Sequence, residues 1–295
     1  MQCSSQSKII LLLPKVLRQD TVKKMSGYGA TGITPRARGF GDSEQQPLLG
    51  NGNGTISHKS AGIREKLNAD VRRGWSDIVL LFCYIITGLL DSSSISVWGS
   101  FVSMQTGNTV YIGLGLAAPT ESTRWIKSGT SLIFFCLGSF CFSRFHRYFG
   151  QKKRWVLVAS FAIQMLLCTA AAVILTFGPR TDEHAINWSV LVPIALIAFQ
   201  ACGQCITSRA LKFNALTSVV LTSIYCDLFS DQNLFALSNV ERNQRTAAPL
   251  FLLFGACCGG LLAHTSFGIA AALWTAAFLK GCIVVSWFLW PAEEV

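Results

Sequence analysis

Charge is scarce in this 295-residue chain: Asp, Glu, Lys and Arg together make up 14% of it, where a soluble globular domain carries about 25%. Histidines number only four and are scattered, at positions 58, 146, 184 and 264. The sequence has no His-Glu-x-x-His, no phosphate-cradling Gly-Lys-Ser/Thr and no Gly-x-Ser-x-Gly. With no catalytic set, the expectation is a protein that is not an enzyme and holds neither cofactor nor metal. The shortage of polar residues also excludes disorder of the whole chain, which needs low hydrophobicity. What is present in excess is apolar: 51% of residues, with a mean hydropathy of +0.43. That composition points to a polytopic membrane protein in contact with the lipid bilayer.

Eleven cysteines, an odd number, lie mostly at or after Cys83 in apolar segments. They read as small hydrophobes rather than as a disulfide framework. Cys202-Gly-Gln-Cys205 has a redox-like spacing, but no second pair and no nearby His accompany it, so helix packing is the simpler reading.

The charge is unevenly distributed. Residues 1–76 hold twelve Lys/Arg against five Asp/Glu and form a basic tail. Its stretch from Gly27 to Gly62 is rich in Gly, Ser, Pro, Gln and Asn and reads as disordered. Because the tail runs straight into membrane segments, attraction to anionic lipid explains its charge better than nucleic acid does. The run Ile9 to Leu13 is too short for a signal sequence and ends at Pro14.

A spanning helix needs about 20 mainly apolar residues. Eight apolar segments occur, at 78–90, 95–118, 128–145, 155–177, 188–206, 215–230, 248–264 and 268–290. Arg72 and Arg73 before the first, and Arg144, Arg147, Lys152, Lys153 and Arg154 between the third and fourth, should share the cytosolic side. Only an even number of crossings between them allows that. The expected fold is therefore all-α and polytopic: six full transmembrane helices plus two broken or re-entrant segments, 95–118 and 215–230, within a range of six to eight spans. The domain runs over 77–290, with residues 291–295 as a short cytosolic end. An offset of about 116 residues lays Thr106-Gly107 on Thr222-Ser223 and Phe135 to Gly138 on Leu252 to Gly255. Three crossings per half would make the halves inverted, which is a transporter plan.

Polar residues at membrane depth are the site candidates. Asp91, at the end of the first segment, reads either as a protonatable or cation-coordinating group or as a helix cap supported by Ser92 to Ser94. Thr106, Gly107, Asn108 and Thr109 suit either an interrupted helix or small-residue packing. Gln200 and Gln204 lie one turn apart. Thr222 and Asp227 belong to the second broken segment. Lys280, midway along the last segment, is a candidate partner of Asp91 or Asp227.

Gly88-Leu89-Leu90-Asp91 followed by Phe101 to Thr109, with its Met-x-Thr-Gly-Asn element, resembles the signature of the YoaK-like membrane proteins, domain-of-unknown-function family 1275. The resemblance covers about 77–290. Family members often have Thr-Gly where this chain has Thr222-Ser223. The resemblance implies a polytopic membrane protein and brings no substrate with it.

Glu44-Gln-Gln-Pro-Leu48-Leu49 has the form of an acidic dileucine sorting signal, a partner motif for an adaptor complex on the way to a vacuolar or endolysosomal membrane. Asn53 and Asn187 fit the glycosylation pattern, but one should be cytosolic and the other lies too near the membrane. The functional expectation is a transporter of a small solute or ion, with a polar broken-helix site. The alternative is a non-transporting scaffold or assembly factor that acts through its N-terminal tail.

Overall fold

A computed structural model describes residues 62, 64–72, 74–179, 186–213, 216–236, 238–265 and 267–292. The sorting signal at Glu44, Leu48 and Leu49, and Asn53, lie outside the described residues.

Among the described residues, from Ser76 on, eight helices follow one another: α1 (Ser76–Trp98), α2 (Gln105–Ala117), α3 (Arg124–Phe149), α4 (Arg154–Phe177), α5 (Trp188–Ala210), α6 (Thr222–Phe229), α7 (Val240–Ala263) and α8 (Gly268–Leu289). All but α2 and α6 are long and apolar enough to cross a membrane, which gives six spans. The fold is an all-α polytopic membrane fold. The expected broken segments are the two short helices.

The first segment runs further than its composition suggests. It ends at Trp98, not near residue 90, so Asp91 lies inside α1 rather than at its end. The three serines after Asp91 do not break the helix, because their hydroxyls are satisfied within the bundle. Ser92 and Ser93 bond back to the Leu89 carbonyl at 3.3 and 2.8 Å, and Ser94 to the Ser100 carbonyl at 2.7 Å. Such local bonds let polar residues sit in an apolar helix. The stop comes at Gly99, whose left-handed φ of 72° suits glycine. The second broken segment is helical only over α6, eight residues.

The halves α1–α4 and α5–α8 repeat one another in packing. The main helix pairs are α1 with α7, α3 with α5, and α4 with α8. Exchanging the halves turns the first pair into the second and the third into itself. Burial repeats as well. The most apolar stretches of α1 and α5 are each 72% buried, those of α4 and α8 each 39%, and those of α3 and α7 28% and 22%. Thus α1 and α5 form the centre, and α3 and α7 carry the most outward-facing apolar surface.

Glycines set the two equivalent contacts. A Cβ on Gly255 of α7 would collide with the Ile85 carbonyl of α1. A Cβ on Gly138 of α3 would collide with the Phe199 carbonyl of α5. Close backbone approach through small residues is how membrane helices gain packing energy without a hydrophobic drive.

α4 and α8 run antiparallel. Near one end the Arg154 guanidinium donates to the Trp290 carbonyl, and near the other the Trp274 indole donates to Thr176 at 3.2 Å. Since these two helices are counterparts in the repeat, the halves are inverted.

Residues 64–72, which composition assigned to the tail, pack on the bundle. Residues 64–68 are helical and Val71 is buried. Val71 N–H donates to the Lys152 carbonyl and Arg72 N–H to the Pro291 carbonyl. This strap crosses the end of the bundle where α4 begins and α8 finishes. Arg154, itself buried, fastens it by donating to the Lys66 carbonyl at 2.7 Å.

Candidate functional site

The polar candidates divide among three places. The first is the turn between α1 and α2. Asp91 Oδ1 accepts the backbone N–H groups of Val102 and Ser103 at 2.8 and 2.9 Å, and Oδ2 accepts the Ser103 hydroxyl. Asp91 lies seven residues before the end of α1, about 10 Å back along its axis. Residues 99–104 therefore dip back into the bundle before α2 starts, and the carboxylate satisfies N–H groups that the broken helix leaves open. Asn108 closes the same turn from the other side. Its Oδ1 accepts Phe101 N–H at 3.0 Å, and its Nδ2 donates to the Phe101 carbonyl at 2.7 Å and to Ser131 Oγ at 3.1 Å. Gln105 joins the network through Nε2, 3.2 Å from Ser131 Oγ. Gly107 packs against the Phe101 ring, where a Cβ would meet it at 2.7 Å. Thr106 and Thr109 point away and are exposed.

The second place is the centre of the bundle. Lys280 of α8 is fully buried. Its Nζ donates to Gln164 Oε1 of α4 at 2.8 Å and to Gln204 Oε1 of α5 at 3.2 Å. Gln204 Nε2 passes the network on to Thr87 Oγ1 of α1 at 2.5 Å. From Gln164, Nε2 reaches Ser160 Oγ at 3.4 Å, which lies 3.3 Å from His146 Nε2 of α3. The Phe161 ring sits 5.6 Å from Nζ. The expected pairing of Lys280 with Asp91 or Asp227 does not occur. Asp91 is held by the turn, and Asp227 is exposed on α6. Among the described residues no carboxylate comes within ion-pair distance of Lys280. Gln200, one turn before Gln204, is 1% exposed, and neither end of its amide has a partner. Gln164 and Thr87 were missed by sequence reasoning. A single Gln in an apolar run has no pattern of its own, but the repeat offset maps Gln164 onto Lys280.

The third place is α6, where Thr222 and Asp227 are both exposed and join neither network. Beyond it, Asp231 accepts Asn233 N–H at 2.8 Å and pairs with Arg245 at 3.3 Å. These contacts hold its carboxyl below the usual range, the Asn233 bond contributing most.

Cys202 Sγ donates to the Phe199 carbonyl at 2.9 Å and lies where α3 approaches through Gly138. Among the described residues no group of three or more His, Cys, Asp or Glu could hold a metal ion.

No curated protein and no solved structure matches the chain. A family model does, that of the proteins of unknown function DUF1275, over residues 79–286. That span runs from the first turn of α1 to the last turn of α8 and takes in the Asp91 turn and the Lys280 network, and the chain belongs to this family.

Proposed function

We propose that this protein is a transporter of a small solute or ion, and that its site is the Lys280 network rather than the Asp91 turn. One observation carries the reading. Lys280 lies fully buried where the two inverted halves meet, with no carboxylate beside it among the described residues. A charged side chain at membrane depth costs about 2.5–3.5 kcal/mol on insertion scales, so retaining one there implies a use. Inverted-repeat transporters bind their cargo at this kind of interface. Asp91, Asn108 and Gly107 shape the broken segment beside it.

The orientation follows from charge. The strap, the α3–α4 loop and the end of α8 gather Arg72, Arg147, Lys152, Lys153 and Arg154 at one end, and the positive-inside rule assigns that end to the cytosol. The N-terminus is then cytosolic, where Glu44, Leu48 and Leu49 are readable by an adaptor complex for delivery to a vacuolar or endolysosomal membrane. Replacing Leu48 and Leu49 by Ala in a fluorescent fusion should divert it to the cell surface. Unchanged delivery removes the signal.

The direct test reconstitutes the full chain in liposomes and records solute-induced currents and radiolabel uptake across a panel of organic anions, organic cations, amino acids and inorganic ions. Uptake of one class that Lys280→Met abolishes is expected. No uptake of any member, with protein correctly inserted, favours the scaffold that acts through its tail.

A further inference from the structure

The Lys280 network is incomplete in a way that specifies what would complete it. In its charged form, which the proposal requires, Nζ carries three hydrogens. Two go to amide oxygens of Gln164 and Gln204, which carry no charge. The central helices supply two carboxylates: Asp77, in the first turn of α1, accepts from Gln244 Nε2 of α7 at 2.7 Å, and Asp91 has both of its oxygens used by the turn.

Gln200 is the second, independent gap. Helical spacing puts it on the same face of α5 as Gln204, whose oxygen already meets Lys280. Its amide is buried, with both donor and acceptor open. Buried amides are almost always bonded, so one open at both ends marks the place of a missing partner.

We propose that Lys280 and Gln200 form the binding site for a small carboxylate anion; this rests on the transporter reading and gives its solute class. One carboxylate oxygen accepts the third Nζ hydrogen. The other accepts an N–H of the Gln200 amide. Gln200 Oε1 is left to accept from a hydroxyl on the neighbouring carbon, so hydroxylated acids are preferred. A cationic solute would meet the ammonium without a counter-charge, and a neutral one would leave it uncompensated.

Access in this proposal is from the end away from the strap, where a surface cleft of about 710 Å³ is lined by Leu175, Thr176, Phe267 and Trp274. Trp274 precedes Lys280 by six residues, about 9 Å along α8. At the opposite end the strap and Arg154 close the same helix pair.

The test uses the full-length protein in lipid nanodiscs and calorimetric titration with sodium acetate, sodium lactate, choline chloride and glycerol. Acetate and lactate should bind, lactate more tightly, with no heat from choline or glycerol. Lys280→Met should weaken both acids at least tenfold. Gln200→Leu should bring lactate down to the affinity of acetate. Binding of choline or glycerol without either acid overturns the proposal, as does carboxylate affinity retained in Lys280→Met. Should that variant fail to fold, an unchanged lactate-to-acetate ratio in Gln200→Leu overturns it alone. Uptake of a cation that depends on Lys280, with no carboxylate binding, sinks the carboxylate and leaves the transporter. Lys280-dependent carboxylate binding without flux of any solute keeps the site and sinks the transporter.

Discussion

Lys280 Nζ donates to Gln164 Oε1 at 2.8 Å, and the two residues are 116 positions apart, the interval that lays one half of the sequence on the other. In an inverted repeat, a residue can touch its own counterpart only where the pseudo-two-fold axis passes. The Lys280 nitrogen therefore sits at the axis. Below it, Arg154 and Trp290 meet ten residues from each partner, about 15 Å along each helix, which puts the Lys280 network near the middle of a hydrocarbon core about 30 Å thick.

An exchange across the axis should accordingly be tolerated. Lys280→Gln alone removes the cation and should lower solute uptake at least about tenfold, a change of about 1.4 kcal/mol. Adding Gln164→Lys returns an ammonium to nearly the same point from the opposite helix. Uptake in proteoliposomes should recover in the double variant. A double variant as inactive as the single one would show that the position of the nitrogen matters less than the helix that carries it.

The glycine contacts make a paired stability prediction. Gly255→Ala and Gly138→Ala each force a methyl group against a carbonyl of the facing helix, and overpacking of this kind costs about 1–3 kcal/mol. Both should lower the melting temperature of the detergent-solubilised protein. Gly129→Ala in α3 and Gly260→Ala in α7 have nothing within 4 Å and should leave it unchanged or raise it, since alanine is the better helix former. Equal behaviour of all four would contradict the packing described.

Much of this was legible in the sequence, and the limits have physical causes. Long apolar runs gave the six spans, and the basic loops gave their common side. Gly138 and Gly255, aligned by the offset, proved to make equivalent contacts. The end of α1 was misread because Ser92 to Ser94 resemble a break, whereas serine hydroxyls can bond to carbonyls of the preceding turn and leave a helix intact. Thr106 and Thr222 drew notice as polar residues at depth, yet both face outward, because residue type carries no information on which face of a short helix is covered. Lys280 was visible as a charge in need of partners. That the partners would be amides required the packing of α4 and α5 against α8.

Asp91 separates two roles by the size of the substitution. Asp91→Ala leaves the Val102 and Ser103 N–H groups without an acceptor, and each buried orphan costs about 1–3 kcal/mol. That variant should be poorly folded. Asp91→Asn keeps an oxygen where Oδ1 accepts both N–H groups, so its melting temperature should stay near that of the wild type and its uptake should persist. Uptake lost in Asp91→Asn at unchanged stability would make the carboxylate the coupling group, and the turn a consequence of it.

Arg154 makes the strap a testable latch. Its guanidinium is buried and donates to two carbonyls from separate segments, Lys66 and Trp290, at 2.7 and 2.5 Å. Hydrogen bonds from a charged donor contribute about 1.5–3 kcal/mol each, and Arg154→Ala leaves both acceptors open. The strap should then detach more often, and cleavage by trypsin after Lys66 and Arg72 should quicken at least about tenfold for each 1.4 kcal/mol lost. Arg154→Lys keeps the charge but loses the fork that reaches two acceptors at once, so its cleavage rate should fall between those of wild type and Arg154→Ala. Mass spectrometry of a digestion time course resolves the three rates. Equal rates would mean that the backbone bonds of Val71 and Arg72 hold the strap without Arg154, and that the arginine serves only to join the start of α4 to the end of α8.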